Sequence, residues 1–267
     1  MAKSFQTEFV DYYKDKLAAK GFVKVKGRQP YFVRVVNDEI LHVITYMTDA
    51  STDIRYKKAF ELACAVATVY KKKINFSVSP NNNDNWPQYQ TDIEKMKETW
   101  YHDISKRDIL RKIHYNDDTI QDALEETEEG MKVLLEVLDR VTDMDEVARF
   151  LVRYNLHEFR FNHLLDDNQN DQECLYYCRK EYDFSIFDKM GYEMIDEIKR
   201  LRNTDYILYE DEKDVQKWIE SNNNKRKAFI NNPEAYEKGM ELLKQNYERN
   251  LEVLQNYGIE ISRHAFL

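Results

Sequence analysis

The chain has 267 residues, 42% of them hydrophobic and 13% aromatic, which is enough to build a sizeable core and more than a disordered chain carries. A third of it is charged (33%), the formal net charge is −9, and three cysteines are too few for a secreted disulfide framework. MAKSFQTEFVDYYKDK has Lys and Asp where a secretory leader needs apolar residues. The longest mostly apolar run, LACAVATVY at 62–70, is about half of the ~20 residues a membrane helix needs, so a cytoplasmic protein with no membrane partner is expected. Asparagine runs at 81–83 and 222–224, with little Gly or Pro, suggest the AT-rich coding of a bacterium.

Charge is uneven along the chain. Residues 1–80 hold 14 Lys or Arg against 8 Asp or Glu, a net of +6, while the remaining 187 hold 26 against 41, a net of −15. The two parts could attract each other, or the first could present cations to an anionic partner.

The first 80 residues read as mixed α and β. Phe5, Phe9, Tyr12 or Tyr13 and Leu17 recur at helical spacing, and Gly21 stands where that helix stops. YFVRVV (31–36) and ILHVITYM (40–47) are rich in β-branched and aromatic residues and flank Asn37, Asp38 and Glu39, the pattern of a hairpin. Pro30 fits just ahead of the first of these strands. Phe60, Leu62, Cys64, Val66, Thr68 and Tyr70 alternate with smaller residues as in a strand buried on both faces. Ala59, Ala63 and Ala67 also favour a helix; the strand is preferred because Ile74, Phe76 and Val78 continue the alternation.

NNNDNWP (81–87) is a turn-rich connecting loop between an α+β sheet unit at 1–80 and a helical region at 88–267. Ser105 and Asp108 form a capping-box pattern ahead of Ile109, Leu110 and Ile113. Asp118 can cap the next helix with Gln121 reaching back, and Ile120, Leu124, Thr127, Met131, Leu134 and Leu138 make one stripe. Residues 143–154, 185–202 and 212–221 read as shorter helices. The last helix is capped by Asn232, opened by Pro233 and closed by Gly258, with Tyr236, Met240, Leu243, Tyr247, Leu251 and Leu254 on one stripe. It should be about 37 Å long at 1.5 Å per residue.

Gly21-Phe22, the basic residues Lys24, Lys26 and Arg28 around Gly27, the hairpin and FELACAVATVY together resemble a bacterial family of unknown function. In that family a helix ends in Gly-Phe, and a short basic segment and a hairpin lead into a third strand. The resemblance spans about the first 75 residues. It implies an α+β sheet and supports a strand at 60–70, and it brings no activity or catalytic residue with it.

The richest stretch for metal chemistry is NLHEFRFNHLLDDNQNDQECLYYC at 155–178. A zincin helix needs His-Glu-x-x-His, whereas His157-Glu158 is followed by His163, six positions on. Cys174 and Cys178 could add thiolates from one face of an α-helix, but His157, His163, Cys174 and Cys178 match no finger or ribbon spacing. An EF-hand counted from Asp166 would need Gly and Glu where Asp171 and Tyr177 stand. The cysteines are read as core-facing, the DDNQND run as a solvated loop, and the stretch as holding no metal.

Six glycines (21, 27, 130, 191, 239 and 258) give neither a Walker loop nor Gly-x-Gly-x-x-Gly, so the standard phosphate cradles are excluded. No Gly-x-Ser-x-Gly is present, although a triad gathered from distant residues would not be visible. Asp122, Glu125, Glu126, Glu128 and Glu129 could pair to bind Mg²⁺ and read more simply as a solvated helix face. Lys24, Lys26 and Arg28 share one strand face, with Arg34, Lys57, Lys58 and Lys71 to Lys73 near in sequence. Tyr31, Phe32, Tyr46 and Tyr70 lie among them, a mixture able to grip single-stranded nucleic acid.

The reading is therefore α+β: a small antiparallel sheet with an N-terminal helix, followed by a predominantly helical region. A non-catalytic protein-binding module with another protein as partner and no cofactor is expected, with catalytic residues unknown. One alternative is a metal-dependent phosphoesterase drawing on His157, His163 and the acidic helix. Another is anion or nucleic-acid binding by the basic sheet.

Overall fold

The computed structural model describes residues 4–27, 29–74, 76, 112–154, 161, 164–165, 171–201 and 212–262. The chain divides into two compact units that interleave along the sequence. The first takes residues 1–68, 74–144 and 251–266, the second 69–73 and 145–250. The expected connecting loop at 81–87 lies outside the described residues.

In the first unit, helix α1 (Phe5–Ala18) is capped by Ser4, whose Oγ accepts the Thr7 amide at 3.3 Å. Its stripe of Phe5, Phe9, Tyr13 and Leu17 is buried. Phe5 packs edge-on to Tyr46 at 4.9 Å and tilted on Phe60 at 4.5 Å, so the helix lies on the sheet. Gly21 ends the helical segment at φ +82, which only glycine adopts without strain, and the Phe22 amide reaches back to the Leu17 carbonyl.

The sheet is an antiparallel meander in chain order: β1 (Val23–Lys26), β2 (Pro30–Val36), β3 (Ile40–Ala50), β4 (Lys58–Thr68) and β5 (Ile113–Tyr115). Pro30 is the first residue of β2, opposite Lys26. Asn37 and Asp38 turn the β2–β3 hairpin with φ of 50 and 58, a left-handed conformation their short polar side chains tolerate. Ile40 pairs with Thr68 and Ala50 with Lys58, fixing the long β3–β4 register.

Residues 62–68 of β4 are buried on both faces, which explains why small and large apolar residues succeed each other there. The strand is as expected in kind but shorter. It stops at Thr68 and the chain turns at Val69, so Ile74 and Phe76, though buried, do not extend it.

Ile113 belongs to β5, paired with Phe60, and not to the helix that its sequence neighbours suggest; residues 105–111 lie outside the described residues. The stripe from Ile120 to Leu138 is buried as expected but divides into α2 (Ile120–Glu125) and α3 (Glu128–Leu138). Thr127 sits at the break. Its hydroxyl donates to the Leu124 carbonyl at 2.6 Å, satisfying locally what the helix ladder would otherwise take. Nor does Asp118 cap α2: Thr119 is the cap residue, without a side-chain cap bond, and Gln121 instead donates to Glu8 at 2.6 Å.

The second unit holds α4 (Met144–Tyr154) from its second residue on, a 3-10 helix at Asp171–Cys178, α5 (Ser185–Leu201), α6 (Glu212–Ile230) and most of α7 (Pro233–Asn256). Helix α6 continues well past 221, carrying its asparagine run inside; Asn222 is buried and accepts the Phe161 amide at 3.4 Å. Arg226 stands over the Phe184 ring and donates to the carbonyls of Tyr177, Arg179 and Tyr182 at 3.0–3.1 Å, tying α6 to the end of the 3-10 helix. On α7, Asn232 Oδ1 accepts the Ala235 amide at 3.1 Å and Gly258 follows the helix at φ +77, both as expected. Among the described residues, no helix is long and apolar enough to cross a membrane.

Candidate functional site

Three polar clusters stand out among the described residues. The first joins sheet to helix. His42 on β3 is fully buried, and its Nδ1 lies 3.1 Å from Arg34 Nε on β2 while its Nε2 lies 2.8 Å from the Val141 carbonyl. A guanidinium can only donate and a carbonyl can only accept, so the ring is the neutral tautomer protonated at Nε2. Burial, and then the Arg34 charge, lower its pKa from 6.5 to about 4. Arg34 also pairs with Asp139, donates to the Lys20 carbonyl at 3.3 Å and stacks over Phe22 at 4.7 Å. With both ring nitrogens occupied, His42 is a connector between strands β2 and β3 and the turn after α3.

The second cluster straps residues 69–73 to α7. Asn250 donates to the carbonyls of Val69 (2.9 Å) and Lys71 (2.5 Å); Asn246 donates to the Tyr70 carbonyl (3.3 Å) and to Gln172 (3.0 Å). Arg249 adds a bond to the Lys72 carbonyl at 2.6 Å. An irregular buried segment needs such partners for its backbone, which explains amides at i and i+4 on an otherwise apolar stripe.

The third cluster shapes the β3–β4 hairpin loop, residues 51–57. Ser51 Oγ accepts the Asp53 amide at 3.1 Å, lies 3.0 Å from the Asp53 carbonyl oxygen and 2.8 Å from His114 Nδ1 on β5. The carboxylate of Asp53 accepts from the Arg55 guanidinium through both oxygens, and those bonds hold it down at about 2. Asn116 completes the frame: its Oδ1 accepts the Lys57 amide (3.0 Å) and its Nδ2 donates to the Arg55 carbonyl (3.1 Å). A Ser–His contact is where a nucleophile and its base begin. Here the serine already closes a turn, and among the described residues no side chain bonds the other ring nitrogen of His114.

What this frame presents is Ile54, which is 100% exposed; among the described residues the other large exposed hydrophobics, Tyr192 and Val23, stand at 58% and 43%. A loop held by six or more side-chain bonds around one bare aliphatic residue is a preorganised apolar tip.

The residues singled out by sequence are placed as follows. Cys174 and Cys178 are buried on the 3-10 helix, where four positions is a third of a turn off register, so they do not share a face as they would on an α-helix. Burial pushes the Cys178 thiol up to about 12. His157, Glu158, His163 and Asp166 lie outside the described residues, and among those described no three His, Cys, Asp or Glu side chains gather as a metal set.

The acidic helix face is divided by the break at Thr127. Glu128 takes Lys16 (2.6 Å) and Tyr12 (2.7 Å), and Glu129 takes Lys132 (2.7 Å). Lys24 and Lys26 do share the exposed side of β1, but Arg28 lies outside the described residues, Lys58 pairs with Asp117 and Lys71 is buried. Tyr31, Phe32, Tyr46 and Tyr70 are all buried, leaving no base a ring to stack on among these four.

Sequence reasoning passed over Ile54 and the two histidine contacts. The Ser-Thr-Asp run ahead of Ile54 is a turn signal, and His42 inside ILHVITYM is an ionisable residue in a mostly apolar strand; both were available clues. No family model matches the chain, and no curated protein and no solved structure matches it.

Proposed function

We propose that this chain is a non-catalytic binding protein that engages another protein through the β3–β4 hairpin tip. The observation that carries the reading is Ile54, fully exposed on a loop whose shape is held by Ser51 and by Asn116 from beyond β5. Burying one such aliphatic side chain at the centre of an interface contributes about 2 kcal/mol, and a rigid loop loses little entropy on docking. The polar clusters support it from the other side, since His42, Ser51, Asn246 and Asn250 are spent on internal bonds.

The test compares the wild-type chain with Ile54→Asp and Tyr192→Asp as immobilised baits in extract of the source cell. The reading expects a protein held by the wild type and by Tyr192→Asp, with affinity reduced about thirtyfold by Ile54→Asp. Equal retention by all three, or turnover by the purified chain in a broad hydrolase and transferase screen, would overturn it.

A further inference from the structure

Independently of the hairpin tip, we infer that the second unit carries a one-electron relay: four tyrosines in ring contact pass an electron hole to a fifth, Tyr182, whose phenol proton goes to Asp145. Tyr247 stacks on Tyr70 at 5.7 Å, Tyr70 meets Tyr176 at 4.7 Å, and Tyr176 meets Tyr177 at 5.4 Å. Tyr182 closes the series, 5.9 Å from Tyr176 and 5.2 Å from Tyr177. Rings this close give electron transfer an unbroken path, and tyrosine is among the few side chains that a one-electron oxidant attacks. Packing alone explains an aromatic core, but a relay also needs an end. A phenol that loses an electron becomes a strong acid, so the hole settles where a base takes the proton. The Tyr182 hydroxyl donates to the Asp145 carboxylate, which is such a base.

The other rings are poorer resting places. Tyr70, Tyr177 and Tyr247 are buried, and burial pushes the Tyr177 phenol well above the ordinary tyrosine range, so its proton leaves reluctantly. Tyr176 lies under the Arg179 guanidinium at 3.9 Å, and a cation on the ring face opposes a positive hole. Tyr182 is half-buried; Arg226 donates to its carbonyl but stands over the ring of Phe184. In the reaction, an oxidant of the nitrogen dioxide or carbonate radical class takes one electron from the tyrosines and leaves as its reduced anion. The Tyr182 O–H proton moves to Asp145, giving a neutral phenoxyl radical and a carboxylic acid. Ascorbate returns the electron, and the Asp145 proton goes back to the phenolate oxygen. Such a relay drains oxidation from a core in which Cys174 and Cys178 share the 3-10 helix of Tyr176 and Tyr177.

The three native cysteines are buried, so a ruthenium polypyridyl photo-oxidant can be attached at Glu248→Cys alone, an exposed position next to Tyr247. Irradiated with a cobalt(III) electron acceptor and frozen, the labelled full-length chain should show one tyrosyl radical by electron paramagnetic resonance. Tyr182→Phe should remove that signal, and Asp145→Asn should lower it severalfold. Tyr70→Phe, which interrupts the path, should lower it severalfold when the attached label drives oxidation. The same variant should keep the full signal when the free ruthenium complex oxidises Tyr182 from solution. That contrast, with circular dichroism matching wild type, separates a broken relay from a damaged fold. No radical in the labelled wild type, an unchanged signal in Tyr182→Phe, or equal yields from the attached label with and without the Tyr70 hydroxyl would overturn the relay.

Discussion

Acid should weaken the first unit through His42 before any carboxylate is involved. In the folded chain the imidazole is neutral down to about 4, because it is buried and faces Arg34; in the unfolded chain it takes a proton near 6.5. Its charged and titratable neighbours are Arg34 on β2 and Asp139 after α3, with the Val141 carbonyl on its other nitrogen. Since the folded pKa is the lower one, the unfolded state binds more protons between these values. The stability contribution is complete above 6.5 and is lost as the pH falls to about 4. Two and a half pH units at 1.4 kcal/mol each make the full loss about 3 kcal/mol. Asp53, held at about 2, loses its contribution only below 3.8, so the two windows do not overlap. Urea unfolding followed by circular dichroism at steps from pH 7.5 to 4.5, for wild type and His42→Gln, isolates the effect. The variant should be less stable at pH 7.5 and the difference should shrink by about 2–3 kcal/mol toward pH 4.5. A difference that stays constant across this range would refute the assignment of a buried, neutral imidazole.

Three other outcomes follow from the packing. Asn250→Ala strands two buried carbonyls, those of Val69 and Lys71, and should lower stability by about 2–4 kcal/mol in thermal or urea unfolding. Gly27→Ala places a methyl group on top of the Phe76 carbonyl oxygen and against the Tyr31 ring, and should cost about 2 kcal/mol or more. Gly21→Ala, in open space but at φ +82, should cost about 1 kcal/mol, and the order of the two would reverse if backbone strain outweighed the close approach. Cys64, Cys174 and Cys178 are buried, so iodoacetamide at pH 8 should leave the native chain unmodified and label all three in urea; rapid labelling without urea would contradict their burial.

Regular periodicity made much of the fold legible. The α1 stripe with Gly21, the hairpin around Asn37 and Asp38, and the capped α7 all carried local signals that agree with their surroundings. β4 was legible through residues small and β-branched enough to be buried twice over. Its end was not, because the turn at Val69 is held by Asn250, which lies far along the chain. β5 escaped for the same reason: three residues become a strand only by pairing with Lys58 to Phe60. The break at Thr127, where both the amide and the hydroxyl turn to the Leu124 carbonyl, and the burial of Asn222 within α6 against the Phe161 amide both involve contacts that periodicity does not signal. The candidate site was the least legible part. Ile54 looks like any apolar residue in a polar loop, and only the folded chain leaves it bare while Asn116 and His114 arrive from elsewhere to brace its neighbours.

Position 54 either meets a protein in the cell or does not. Replacing Ile54 with a photo-crosslinking phenylalanine analogue, and Tyr192 with the same group as control, and irradiating living source cells reads this directly. One discrete adduct from position 54, absent from position 192 and suppressed by excess wild-type chain, is the predicted result. No adduct, or the same ladder of adducts from both positions, would contradict it.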